Sequence, residues 1–117
     1  MSDQAVATVF SALSDGTRLD IVSRLVDGET TLSELAEHYD MSVQAVAKHL
    51  AVLEDAGVVS RRREAQRRPV RLEAEVFDLM SRWAARYREQ VEARYRRLDT
   101  VLTDLDANDP THTEATS

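Results

Sequence analysis

The chain of 117 residues has no cysteine, only three glycines and two prolines, and an aromatic complement of two phenylalanines, three tyrosines and one tryptophan. Without cysteine there is no disulfide, no thiol nucleophile and no thiolate metal site, and the composition suits a reducing compartment. Three glycines supply no glycine-rich phosphate loop. No apolar run approaches the roughly 20 residues that cross a bilayer, and the opening MSDQAVATVF lacks a basic stretch followed by an apolar one. The expectation is a cytoplasmic protein with no membrane partner. A chain of this length provides one modest core and not two ordinary ones.

What the sequence does contain is unevenly placed. The formal net charge is −6. Residues 1–41 hold two basic and eight acidic side chains (net −6), residues 42–72 hold seven and three (net +4), and residues 73–117 hold six and ten (net −4). Inside the basic segment, RRREAQRRPVR at 61–71 gathers six arginines into eleven positions. A charge run of this kind is ordinarily a solvated face. Its neighbours decide whether it is more.

Val6, Val9, Phe10 and Leu13 keep helical spacing and predict a helix over about 4–14. Asp15 is placed to cap a second helix, with Leu19, Val22, Leu25 and Val26 on its apolar side and Gly28 closing it. Thr30 or Thr31 opens a short third helix along Leu32, Leu35, Ala36 and Tyr39. Ser42 caps a fourth, VQAVAKHLAVLEDAG, ended by Gly57. On this fourth helix Val43, Val46, Leu50 and Leu53 share an inner side, and Gln44, Lys48, Ala51 and Asp55 point away. Val58-Val59-Ser60 and Val70-Arg71-Leu72 have strand character around a polar turn at 64–67, which predicts a hairpin. From Glu75 to about Asp106 an apolar stripe recurs every three or four residues, longer than one small core consumes. The expected domain runs from 1 to 106, its last helix at about 75–106, with a polar, disordered tail at 107–117.

Helix, turn, helix and an arginine-bearing hairpin predict a mainly α fold with a small β-hairpin, a winged helix-turn-helix. A helix enters the DNA major groove when its leading outward face is narrow and rich in hydrogen-bonding groups, as Ser42, Gln44, Ala45 and Lys48 supply. Arg61, Arg63, Arg67 and Arg68 then reach flanking phosphates or a narrow minor groove. His49 belongs with this set as a structural or phosphate-contacting residue. The basic segment lies where a phosphate backbone would pass, and double-stranded DNA is the expected partner.

Over residues 12–72 the sequence resembles the ArsR-type transcriptional repressors. The resemblance is carried by Ala12-Leu13-Ser14-Asp15 with Thr17-Arg18, by Ser33-Glu34-Leu35-Ala36, by Ser42 with Ala45-Val46 and His49-Leu50, and by Val52-Leu53-Glu54 with Ala56-Gly57-Val58-Val59. It implies a homodimer joined through the first and last helices, with an effector, not identified by the sequence, that releases DNA. Val6, Phe10, Trp83, Tyr87, Val91, Tyr95, Leu98 and Leu102 are the expected interface. Four departures stand out: Gly16 in place of a common proline, Ala47 in place of a serine, Ala65-Gln66 and Pro69 in the wing where glycine and tyrosine are frequent, and Leu32-Ser33-Glu34-Leu35-Ala36 where metal-sensing members carry cysteines.

The three histidines, His38, His49 and His112, have no i, i+4 pairing that would bring two imidazoles onto one ion, and no metal or other cofactor is expected. The acids of the tail, Asp104, Asp106 and Asp109 with His112 and Glu114, read as solvated. Asp15 with Arg18 reads as a helix cap beside a cation, and Trp83, Tyr87 and Tyr95 as core or dimer contacts rather than an effector pocket. No nucleophile stands at a motif spacing from a base, so no enzyme is expected. The leading reading is a sequence-specific DNA-binding repressor, homodimeric, at an inverted-repeat operator, often its own. Its rivals are a metal-responsive sensor with histidine and carboxylate ligands, and a winged-helix module whose arginines meet an acidic protein.

Overall fold

The computed structural model describes residues 3–63 and 67–107. Along the chain run α1 (Asp3–Ala12), α2 (Gly16–Val26), α3 (Leu32–Ala36), α4 (Val43–Asp55), β1 (Val59–Arg61), β2 (Val70–Leu72) and α5 (Ala74–Ala107). The expected turn at 64–67 lies mostly, and the expected tail almost wholly, outside the described residues.

Three side chains set the helix starts as their chemistry dictates. The Asp15 carboxylate accepts the Arg18 N–H at 3.1 Å, the Thr31 hydroxyl accepts that of Glu34 at 3.2 Å, and the Ser42 hydroxyl accepts that of Ala45 at 3.1 Å. Thr31, rather than Thr30, is thus the cap of α3. Gly57, at φ 81°, follows Ala56, the C-cap of α4, and lets the chain turn directly into the hairpin. β1 and β2 pair antiparallel, Val59 with Leu72, Ser60 with Arg71 and Arg61 with Val70. On its other edge β2 is held by Thr30, whose N–H donates to the Val70 carbonyl at 3.2 Å while its own carbonyl accepts from the Val70 N–H at 2.6 Å. The wing is therefore tied to the loop before α3 as well as to α4. This is a winged helix-turn-helix.

The chain divides into two compact units, up to Ser81 and from Arg82 onward. The first has the core: Ile21 and Leu25 of α2, Leu35 of α3, Val46, Leu50 and Leu53 of α4, Val58, Val59 and Val70 of the hairpin, and Val76 of α5, joined by Val9 and Ala12. Each such burial stabilises by about 1.5–3 kcal/mol, less for the smaller side chains. Among the described residues no helix is long and apolar enough to cross a membrane.

Four expectations are corrected. Val6 is 5 % exposed, buried with Val9 and Ala12 on the inner side of α1, so its own fold consumes it and it is not available to a partner copy. Val43, expected inside, is half exposed because it occupies the first turn of α4, ahead of the core that Val46 enters. α1 ends at Ala12, before the expected residue 14, since Asp15 must adopt extended backbone to cap α2. Tyr39 lies beyond α3, which stops at Ala36, yet its ring still packs on the core from the turn.

Candidate nucleic-acid interface

α4 turns Val46, Leu50 and Leu53 inward and leaves Gln44, Lys48, Ala51 and Asp55 exposed, with Ala45 half-buried beside them. Gln44 and Lys48 stand one turn apart on the outward face. Lys48 makes no ion pair among the described residues. The Ser42 hydroxyl is engaged as the cap but keeps its proton to donate.

His49 is positioned by two residues of the preceding helix boundary. Arg18 donates Nε–H to the Ala12 carbonyl at 2.5 Å and reaches His49 Nδ1 with Nη1 at 3.2 Å. Asp15 Oδ2 lies 3.7 Å from the same nitrogen. The Arg18 backbone N–H holds the Asp15 carboxyl below its ordinary range, and the neighbouring His49 and Arg18 add to this. The end of α1, the start of α2 and the middle of α4 are joined by one polar network. The sequence suggested the cap; it gave no sign that the link extends to His49.

A second network sets the turn between α3 and α4. The Tyr39 hydroxyl donates to Asp20 Oδ2 at 2.6 Å, and Arg24 Nε donates to the same oxygen at 2.9 Å. The Tyr39 hydroxyl is pushed up to about 12, first by burial and then by the Asp20 carboxylate. Asp20 is held low by the same bonds, Tyr39 first.

The wing arginines differ from one another. Arg61 is largely covered, its Nε 3.8 Å from Glu54 Oε1 and without a hydrogen-bond partner. Arg67 Nη2 donates to Glu34 Oε1 of α3 at 3.0 Å. Arg71 lies 3.6 Å from Glu73. Arg63 and Arg68 are exposed and make no ion pair among the described residues. Sequence reasoning placed the positive charge on the wing but missed Glu34, whose spacing from Thr31 is a capping-box signal.

On unit two, Trp83 packs its ring 5.0 Å from that of Tyr87. Tyr87, Val91, Tyr95, Leu98 and Leu102 are all exposed large apolar residues, as is Phe10 on α1. Among the described residues no cluster of three histidine or carboxylate side chains is placed to hold a metal ion. His112 lies outside them.

Residues 13–62 match a helix-turn-helix domain family. The chain is 40 % identical over 58 residues to the transcriptional repressor SdpR of Bacillus subtilis, covering 50 % of this chain and 64 % of that one. It is 30 % identical over 81 residues to the arsenical resistance operon repressor of Staphylococcus xylosus, covering 69 % and 78 %. The solution structure of a homodimeric winged helix-turn-helix DNA-binding domain from Mycobacterium bovis, a possible ArsR-family regulator, superposes with a TM-score of 0.60 at 30 % identity, over 74 % of this chain and 81 % of that one. The order of caps, the wing and these relatives agree: the chain belongs to the ArsR family of winged helix-turn-helix transcriptional regulators, which are DNA-binding proteins and not enzymes.

Proposed function

We propose that this protein is a cytoplasmic, homodimeric repressor that reads an inverted-repeat operator. The observation that carries the reading is the outward face of α4, where Gln44 and Lys48 stand exposed on a helix capped at Ser42 and backed by the core. Gln44 suits an adenine edge and Lys48 a guanine edge in the major groove. Arg63, Arg67 and Arg68 would neutralise flanking phosphates, and His49, whose Nδ1 is turned to Arg18 and Asp15, would offer Nε2 to one. Arg61 contributes less, being largely covered.

The dimer is supported by the homodimeric Mycobacterium relative and by the exposed row Tyr87, Val91, Tyr95, Leu98 and Leu102. Trp83 and Phe10 complete the proposed interface; Val6 is no longer part of it. A two-fold pair presents two α4 helices to major grooves about 34 Å apart. Selection of bound sequences from a random duplex library tests this: an enriched inverted repeat with half-sites one helical turn apart is expected, and enrichment of no sequence would refute specific reading.

A further inference from the structure

A cleft of about 520 Å³ opens between the start of α3 and the wing, and into its lining come Glu34, Arg61, Arg67 and Arg68. Arg67 meets Glu34 there, Arg68 stands by without a carboxylate partner among the described residues, and Arg61 lies beside Glu54 of α4. Glu34 is not a loose surface acid. Its Oε1 accepts from the Thr31 hydroxyl and its Oε2 from the Thr30 hydroxyl, each at 3.1 Å, while its N–H donates back to Thr31. The same Oε1 accepts Arg67 Nη2 at 3.0 Å. The side chains of Arg67 and Glu34 remain 67 % and 55 % exposed, so the pair is exchangeable. Arg68, exposed in the same lining, has no carboxylate partner among the described residues, whereas the Arg61 Nε is buried 3.8 Å from Glu54 Oε1.

We infer that this cleft is a phosphate-oxyanion site in which Glu34 is a built-in competitor. A carboxylate oxygen on a guanidinium occupies the place a phosphate oxygen takes. An entering phosphate removes Arg67 from Glu34 and shares it with Arg68, while Arg61 stays covered beside Glu54, Glu34 keeps both threonine hydroxyls and the α3 cap stays formed. Arg67 is held in a neutralised state, and Glu34 lowers the wing's grip on phosphate. The inference rests on the DNA-binding reading where the phosphate belongs to a duplex backbone; a phosphorylated small molecule presents the same oxygens.

The test compares the wild-type chain with Glu34→Gln, Glu37→Gln and the double variant Arg67→Ala with Arg68→Ala. Glutamine also serves in the capping box, so circular dichroism should be preserved. Glu37, at the other end of α3, is exposed and makes no ion pair among the described residues, so its substitution removes the same charge without freeing an arginine. On a short random duplex Glu34→Gln should bind about two- to five-fold tighter per subunit, the range of an exposed ion pair. Its plot of log K against log salt should steepen by up to about 0.9 per subunit. Glu37→Gln should change both far less. Inorganic phosphate, against chloride of equal ionic strength, should shift the Nε–Hε NMR signals of Arg67 and Arg68, more readily in Glu34→Gln, while the signal of the covered Arg61 moves far less, and the Arg67→Ala with Arg68→Ala variant should show no phosphate-specific shift at the cleft. A duplex effect without a phosphate shift assigns the site to the DNA backbone, and a phosphate shift without a duplex effect assigns it to a free ligand. If wild type shows no salt-dependent duplex binding, the DNA-binding reading fails while the phosphate titration still decides the cleft. Equal behaviour of Glu34→Gln and Glu37→Gln on the duplex, with no phosphate-specific shift, overturns the inference.

Discussion

Replacing Val91 and Leu98 together by aspartate should convert the protein to a monomer that keeps its fold. The two residues are 50 % and 47 % exposed within one chain, so about half of each side chain remains to be covered by a partner. Full burial of a valine or leucine is worth about 1.5–3 kcal/mol, which leaves about 0.8–1.5 kcal/mol for each here. Two residues, each counted twice at a two-fold interface, give about 3–6 kcal/mol, and a desolvated carboxylate adds to the loss. The dimer dissociation constant should rise about a hundred- to ten-thousand-fold. Within the monomer the same substitutions give up the half of each side chain already covered, about 0.8–1.5 kcal/mol apiece on the same scale, which a folded helix can bear. Sedimentation should therefore report a monomer at micromolar concentration with helical circular dichroism retained, and binding to a full operator should fall to that of a half-site. A variant that stayed dimeric, with its fold intact, would show that this stripe does not join the subunits.

Other substitutions probe the α4 face and its supports. Gln44→Ala or Lys48→Ala should cost about 1–3 kcal/mol for each specific base contact at the selected operator and much less on random DNA, measured by anisotropy; equal losses would assign the residue to the backbone. Ser42→Ala removes the α4 cap and should lower unfolding free energy by about 0.5–2 kcal/mol in a urea titration. Leu53→Ala, wholly buried, should cost about 2–5 kcal/mol by the same measurement. Asp15→Asn keeps a capping oxygen but loses the charge beside Arg18 and His49. Because the folded Asp15 carboxyl is held below its ordinary value of 3.8, its stabilisation is present above that pH and is lost as pH falls through the lower folded value. The wild type should therefore melt above Asp15→Asn at neutral pH, and the difference should vanish in acid.

How much of this was legible in the sequence depends on the range of each interaction. Ser42, Asp15 and Gly57 act within three or four residues, so the helix boundaries they set follow from the chain alone. Gln44 and Lys48 were placed outward by a period that Val46, Leu50 and Leu53 fix. Contacts between distant positions leave no periodic trace. The bridge from Thr30 to Val70, the reach of Arg18 to His49 and the pairing of Arg67 with Glu34 join residues 31 to 40 positions apart. Val6 erred for a related reason: helical spacing states that a residue lies on an apolar side, and only packing states whether its own chain or a partner covers it.

The same distinction bears on the charge that first marked the site. Counted along the sequence, 61–71 is a uniform block of six arginines. In the fold Arg61 lies beside Glu54, Arg67 beside Glu34 and Arg71 beside Glu73, so acidic side chains from α4, α3 and the end of β2 temper these three arginines. Counterion release on binding scales with the phosphates neutralised, and each guanidinium already shared with a carboxylate contributes less than one that is not. The salt dependence of the wild-type protein should thus be carried first by Arg63 and Arg68. Arg63→Ala should flatten the slope by up to about 0.9 per subunit, and Arg71→Ala by distinctly less. A uniform loss across these arginines would mean that the internal pairs dissolve completely on DNA, and that the count along the sequence was the better guide.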